Sequence, residues 1–179
     1  MVGHVALAEY LRANLRLHAV AVKVFPQMAR HPLNPGRAHK ARPLKGLEGQ
    51  ADLVLIDAPC TGTGTWRRNP DAKWRLRPNA LDDRIKEQRL VLERAAAFVK
   101  RGGRLAYITC SLLPQENDEA VETFLASHES FTLIEPAHVA SRAGLPALAP
   151  FVSAKGKGLQ LTPARTGTDG FFIALLKKN

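Results

Sequence analysis

The clearest pattern in the chain is a pair of dense apolar runs, Ala51-Asp-Leu-Val-Leu-Ile-Asp57 and Gly103-Arg-Leu-Ala-Tyr-Ile-Thr109. Each is short, rich in branched residues and bounded by Gly, Pro or Thr, which predicts strands at 52–57 and 104–109 that are buried on both faces. Between them, Leu81, Ile85, Leu92, Ala96 and Val99 recur at helical spacing and predict a helix over 80–100, with Gly102 and Gly103 as the turn. Pro114 is placed to open a further helix over 115–128, whose apolar side is Ala120, Val121, Phe124 and Leu125. Residues 131–134 and 170–176 read as strands, and the Ala/Pro/Gly-rich stretch 136–158 as loop. Upstream, Val5, Leu7, Ala8, Leu11 and Leu15 predict a helix over 4–18, and residues 19–25 alternate like a strand. Residues 26–50 have many prolines, glycines and basic residues but no periodicity, a long loop for a compact domain. Strands alternating with helices imply an α/β fold, a parallel sheet closed by an antiparallel strand. The chain therefore divides into an atypical segment 1–50 and a regular α/β region 51–179.

Charge adds a partner to this picture. The chain has 179 residues and a formal net charge of +10. Residues 67–104 hold twelve Lys and Arg against five Asp and Glu, whereas the balance beyond 104 is slightly negative. A basic half followed by an acidic remainder suits a polyanion such as RNA, the alternative being a solvated charged surface. No apolar run reaches membrane-helix length, and the N-terminus lacks a secretory design, so no membrane is expected and the cytoplasm is the default compartment. Neither a G-x-G-x-x-G nor a P-loop pattern occurs, and the scattered histidines make no zinc set.

The candidate chemistry lies in the two cysteines. Cys60 follows the first run and Cys110 the second. Ligands of open α/β sheets bind outside the carboxyl ends of parallel strands, so both thiols are placed to face one pocket. A thiolate adds readily to an electron-poor ring. Addition to C6 of cytosine makes C5 able to accept a methyl group, after which a base must remove the C5 proton so that the thiol can leave. One cysteine as nucleophile and a second group helping elimination is a sensible pair. The Pro114 helix is a candidate for lowering the Cys110 pKa. Either cysteine alone reads better as a small core residue, and only the paired context overturns that reading. Their spacing is unlike the Cys-x-x-Cys of a thiol oxidoreductase.

The segment Asp57-Ala-Pro-Cys60-Thr-Gly-Thr-Gly-Thr-Trp-Arg-Arg-Asn-Pro-Asp-Ala-Lys-Trp74 resembles the fourth motif of the Fmu/Sun (RsmB-type) RNA cytosine-5 methyltransferases. Tyr107-Ile-Thr-Cys110-Ser-Leu-Leu-Pro-Gln-Glu-Asn117 resembles the sixth, and Asp169-Gly-Phe-Phe172 the last strand. The resemblance covers about residues 50–179. It implies a Rossmann-like class I methyltransferase fold that uses S-adenosyl-L-methionine as cofactor and RNA, ribosomal RNA in the first place, as substrate. It also implies Cys110 as the nucleophile, Cys60 as the group assisting release, Asp57 and Pro59 at the cofactor site, and Arg67, Arg68 and Lys73 along the RNA path. Trp66 and Trp74 read as packing residues.

The family's Gly-rich motif on the first strand, and the ribose-binding acidic residue after the second, have no match upstream of residue 50. The fold is therefore expected to be N-terminally incomplete, from a truncated or frame-shifted gene. Strand 52–57 would then have an uncovered edge, which invites a complementing chain, self-association or cover from strand 20–25. Two further readings follow: an inactive RNA-binding remnant, and one half of a split enzyme.

Overall fold

The computed structural model describes residues 46–179. The helix predicted at 4–18, the strand at 19–25 and nearly all of the loop at 26–50 lie outside these residues.

Strand β1 (Ala51–Asp57) runs parallel to β2 (Val99–Thr109), with Leu53 opposite Arg104 and Asp57 opposite Ile108. The helix α1 (Ala80–Ala96) makes the crossover between them. Asp82 and Asp83 in its first turn and Arg94 in its last suit the helix dipole. The helix is shorter than its apolar spacing predicts. Val99 belongs to β2, which begins before the glycine pair and carries Gly102 through at a φ of 75°. The pairing register shifts between Ala51 and Leu53, so the predicted turn is an irregularity inside a long strand.

After β2 come a 3-10 turn (Pro114–Glu116) and α2 (Asp118–Ser127), followed by β3 (Phe131–Leu133). The stretch read as loop at 136–158 holds α3 (Pro136–Arg142) and a 3-10 helix (Pro146–Phe151). Glu135 caps α3 by accepting a 2.6 Å hydrogen bond from the His138 amide, and Pro136 occupies its first turn. Two short elements follow, β4 (Leu159–Leu161) and α4 (Pro163–Thr166), before the last strand β5 (Phe171–Lys178).

The sheet order is β1-β2-β5-β3, with β4 also on β5. β5 is antiparallel to β2 along the length from Arg104–Lys177 to Thr109–Phe172, the expected closing strand. Among the described residues β1 pairs on one side only.

One face of the sheet carries the main core. Val54 and Ile56 of β1, Leu105 and Tyr107 of β2, and Phe172, Ala174 and Leu176 of β5 pack with Val91, Leu92 and Ala95 of α1 and Val121 and Phe124 of α2. The other face buries Leu53 and Ala106 among the described residues, with Leu55 and Leu175 half-covered beside them. Both cysteines lie just past the carboxyl ends of β1 and β2.

Candidate active site

The turn after β1 and the turn after β2 bring the two thiols together, with Cys60 Sγ and Cys110 Sγ 3.3 Å apart. Both side chains are half-buried and reduced. The pair does not titrate as two ordinary thiols. Hydrogen bonding to Cys110, followed by burial, pushes the Cys60 thiol far up. The bond from Cys60 holds Cys110 below the usual thiol range, against burial and the charges of Asp57 and Glu116. Of the two, Cys110 is thus the thiol that ionises more readily. The donor that lowers Cys110 is therefore its neighbouring thiol. The residues after Cys110 form a 3-10 turn, with α2 starting only at Asp118, so they supply no adjacent long-helix N-terminus.

A buried carboxylate sets this geometry. Glu116 is 0% exposed and lies between the two loops. Its Oε1 accepts from the Thr61 amide at 2.7 Å and more weakly from Gln88 Nε2 at 3.3 Å; its Oε2 accepts from the Thr61 hydroxyl at 2.6 Å and from the Ser111 hydroxyl. Gln88, buried on α1, also donates to the Pro59 carbonyl at 2.8 Å. Tyr107 donates to the Glu116 backbone carbonyl at 2.7 Å. Asn117 continues the network, accepting from Thr109 at 2.6 Å and donating to the Ser111 carbonyl at 2.9 Å. The neighbours of both cysteines are therefore fixed to one buried anion.

A backbone clamp holds the Gly/Thr turn in place. Gly64 donates to the Cys110 carbonyl at 3.0 Å, and Gly170 donates to the Gly64 carbonyl at 2.9 Å. A Cβ at Gly64 would stand 2.3 Å from the Gly170 carbonyl oxygen, so only glycine allows this approach. The Asp169-Gly-Phe-Phe172 motif is thereby joined through Gly64 to the Cys110 loop.

The other sequence-predicted residues fall in two places. Asp57 ends β1, and its charge acts on Cys110; Pro59 is buried in the turn that leads to Cys60. Arg67 and Arg68 are exposed and both pair with Asp169, which lowers the Asp169 pKa and raises that of Arg68. Lys73 is exposed, with its Nζ 4.8 Å from the centre of the Trp74 ring. Trp74 corrects the packing reading: it is 80% exposed on a 3-10 helix (Pro70–Arg75) that buries no residue. Glu116, Gln88 and Asn117 were not singled out by sequence as site residues. Their signal was present in polar residues sitting among buried positions of α1 and next to a motif cysteine.

Comparison with known proteins matches these features to one family. The family model for the 16S rRNA methyltransferase RsmB/F matches residues 33–177, a span that begins ahead of β1. Ribosomal RNA small subunit methyltransferase B of Pectobacterium carotovorum is 38% identical over 128 residues, covering 72% of this chain and 26% of that protein. The crystal structure of PH0851 is 40% identical with a TM-score of 0.64, over 73% of this chain and 27% of its own. That of NSun6 from Pyrococcus horikoshii with SFG is 29% identical with a TM-score of 0.52, over 72% of this chain and 30% of its own. The chain spans about a quarter of the length of the curated relatives it matches. No helix among the described residues is long and apolar enough to cross a membrane. Its fold is the Rossmann-like methyltransferase fold, and the chain belongs to the RsmB/F family of 16S rRNA methyltransferases.

Proposed function

We propose that this chain carries the chemistry of an S-adenosylmethionine-dependent methyl transfer to C5 of a cytosine in ribosomal RNA, with Cys110 as nucleophile. The observation that carries this reading is the pair of thiols 3.3 Å apart, of which Cys110 is the more readily ionised. The Cys110 thiolate adds to C6, its electron pair moves the ring electrons to C5, and C5 becomes nucleophilic. The cofactor, when bound, supplies the electrophilic methyl group for C5. Asp57 would hold it, at the carboxyl end of β1 beside Cys110, and buried Pro59 fixes the turn around it. Asp57 ends β1 within electrostatic reach of Cys110, so a group held by it would stand beside the thiol pair. The SFG in the NSun6 relative supports a cofactor of this kind.

Cys60 then acts in release. The largest cause holding its thiol up is Cys110, and that partner ceases to be a thiolate once it is bonded to C6. Cys60 then gives its proton to solvent more easily, and the resulting thiolate takes the C5 proton. The C5–C6 double bond re-forms, and the S–C6 pair returns to Cys110 as thiolate. Arg67, Arg68 and Lys73 line the approach of the RNA backbone.

A small-subunit rRNA transcript containing 5-fluorocytosine tests this, since fluorine at C5 blocks the release step. Incubation with S-adenosylmethionine should leave a covalent protein–RNA adduct stable to denaturation, absent in Cys110→Ala. On ordinary RNA, Cys60→Ser should accumulate the same adduct. An adduct that survives Cys110→Ala but not Cys60→Ala would reverse the two roles, and no adduct with any variant would end the proposal.

A further inference from the structure

Between the Cys60 loop and α1 the chain makes an excursion that the core does not hold. From residue 67 to 79 every side chain is exposed except the half-covered Ala72. The excursion carries Arg67, Arg68, Lys73, Arg75 and Arg77 against the single carboxylate of Asp71. Arg75 pairs with Asp71, and Arg67 and Arg68 with Asp169. Lys73 and Arg77 pair with no carboxylate among the described residues. Trp74 stands amid these cations at 80% exposure, and no packing reason for its ring appears among the described residues. A large aromatic left in water marks a binding surface more strongly than a scattered surface leucine does. Its root is tied to the reacting thiols, through Arg68 to Asp169, Gly170 to Gly64 and Gly64 to Cys110.

We infer that Trp74 is a stacking platform for an unpaired RNA base next to the target nucleotide, with Lys73 and Arg77 meeting its phosphates. Charge decides the occupant. The centre of a protein–protein patch is depleted in lysine, whereas here Lys73, Arg75 and Arg77 flank the ring along the chain, with Leu76 the one large apolar side chain among them. Aromatic rings interleaved with cations are how proteins hold single strands, because every base offers a face to stack on. The requirement for an unpaired base follows from the chemistry: a cytosine attacked at C6 has to leave its stack, which frees its neighbours as well. This inference rests on the RNA substrate proposed above.

The test uses the full chain and a single-stranded pyrimidine RNA oligomer, with a duplex of equal charge for comparison. Trp74→Leu should weaken single-strand binding roughly fivefold to a hundredfold, and Trp74→Phe should retain most of it. Stacking releases no counterions, so the slope of log affinity against log salt should be unchanged in Trp74→Leu; in Lys73→Gln it should flatten by about 1. Duplex binding should be indifferent to Trp74. Single-strand binding by Trp74→Leu within about twofold of the parent, or an equal loss on duplex, would overturn the inference. A parent that binds no single-stranded RNA would overturn it too. The Cys110 adduct is read separately, so a lost adduct with Trp74-dependent binding intact refutes only the methyl-transfer reading.

Discussion

Replacing Glu116 by glutamine changes one atom of the site and separates the two tasks of that residue. The carboxylate accepts strong bonds from the Thr61 amide, the Thr61 hydroxyl and the Ser111 hydroxyl, and its charge raises both thiols. Glutamine keeps the shape and one acceptor oxygen for the Thr61 amide. The two hydroxyls can turn to accept from its new NH2 group. Three charge-assisted bonds thus become neutral ones, a loss of about 1 kcal/mol each. The relief of no longer burying a charge offsets part of that. A net loss of about 1–3 kcal/mol is expected in urea unfolding. Glu116→Ala leaves the Thr61 N–H without an acceptor and opens a cavity, so about 3–5 kcal/mol is expected. Removing the negative charge from beside the thiols favours their anions. The pH profile of Cys110 alkylation in Glu116→Gln should therefore move to lower pH while the protein stays folded. A Glu116→Ala variant as stable as the parent, or an alkylation profile that Glu116→Gln leaves in place, would refute the view that this carboxylate fixes and tunes the pair.

Other expectations follow from the same geometry. In the parent protein, iodoacetamide should modify Cys110 at pH values below those needed for an ordinary thiol, because a lowered pKa leaves thiolate there, and Cys60 should be modified only after Cys110; peptide mapping across a pH series reads both. Mild oxidation with diamide should join Cys60 to Cys110 in one chain, since their sulfurs need only close from 3.3 Å to bond length, and dithiothreitol should restore both thiols as read by mass. Gly64→Ala should destabilise by about 1–3 kcal/mol in urea unfolding and slow Cys110 alkylation, because the added methyl forces the Gly170 backbone away from the nucleophile loop.

The parts of this molecule legible in sequence are those whose information is local. β1, α2 and β5 announce themselves by dense apolar runs or helical spacing, and the cysteines by their place after two such runs. The boundary of α1 was less legible because Ala96 and Val99 satisfy a helical period equally well on either side of its end. α3 was hidden because its composition is that of a loop, with Pro136, Ala140 and Gly144 nearby; the Glu135 cap that fixes it takes only one side-chain bond. Across the site, the missing information is long-range. Glu116 finds Thr61 in a loop 55 residues away, and Arg68 finds Asp169 at a separation of 101. No local pattern encodes such partners, and for that reason the motif resemblance, with which their charge agrees, marked Arg67 and Arg68 but not what they hold.

The position of β5 bears on how the site comes into being. It follows the other described strands in sequence, yet it lies inside the sheet, between β2 and the short strands β3 and β4. A ribosome making this protein therefore releases β2 with its second edge bare, and that edge stays bare until Phe171–Lys178 has left the exit tunnel. Gly170, which secures the Gly64 turn against Cys110, emerges just ahead of that strand. The thiol pair consequently gains this support only once β5 has been made and paired, and a chain lacking Phe171–Lys178 and Gly170 would keep both cysteines and Glu116 but lose the clamp on the Gly64 turn.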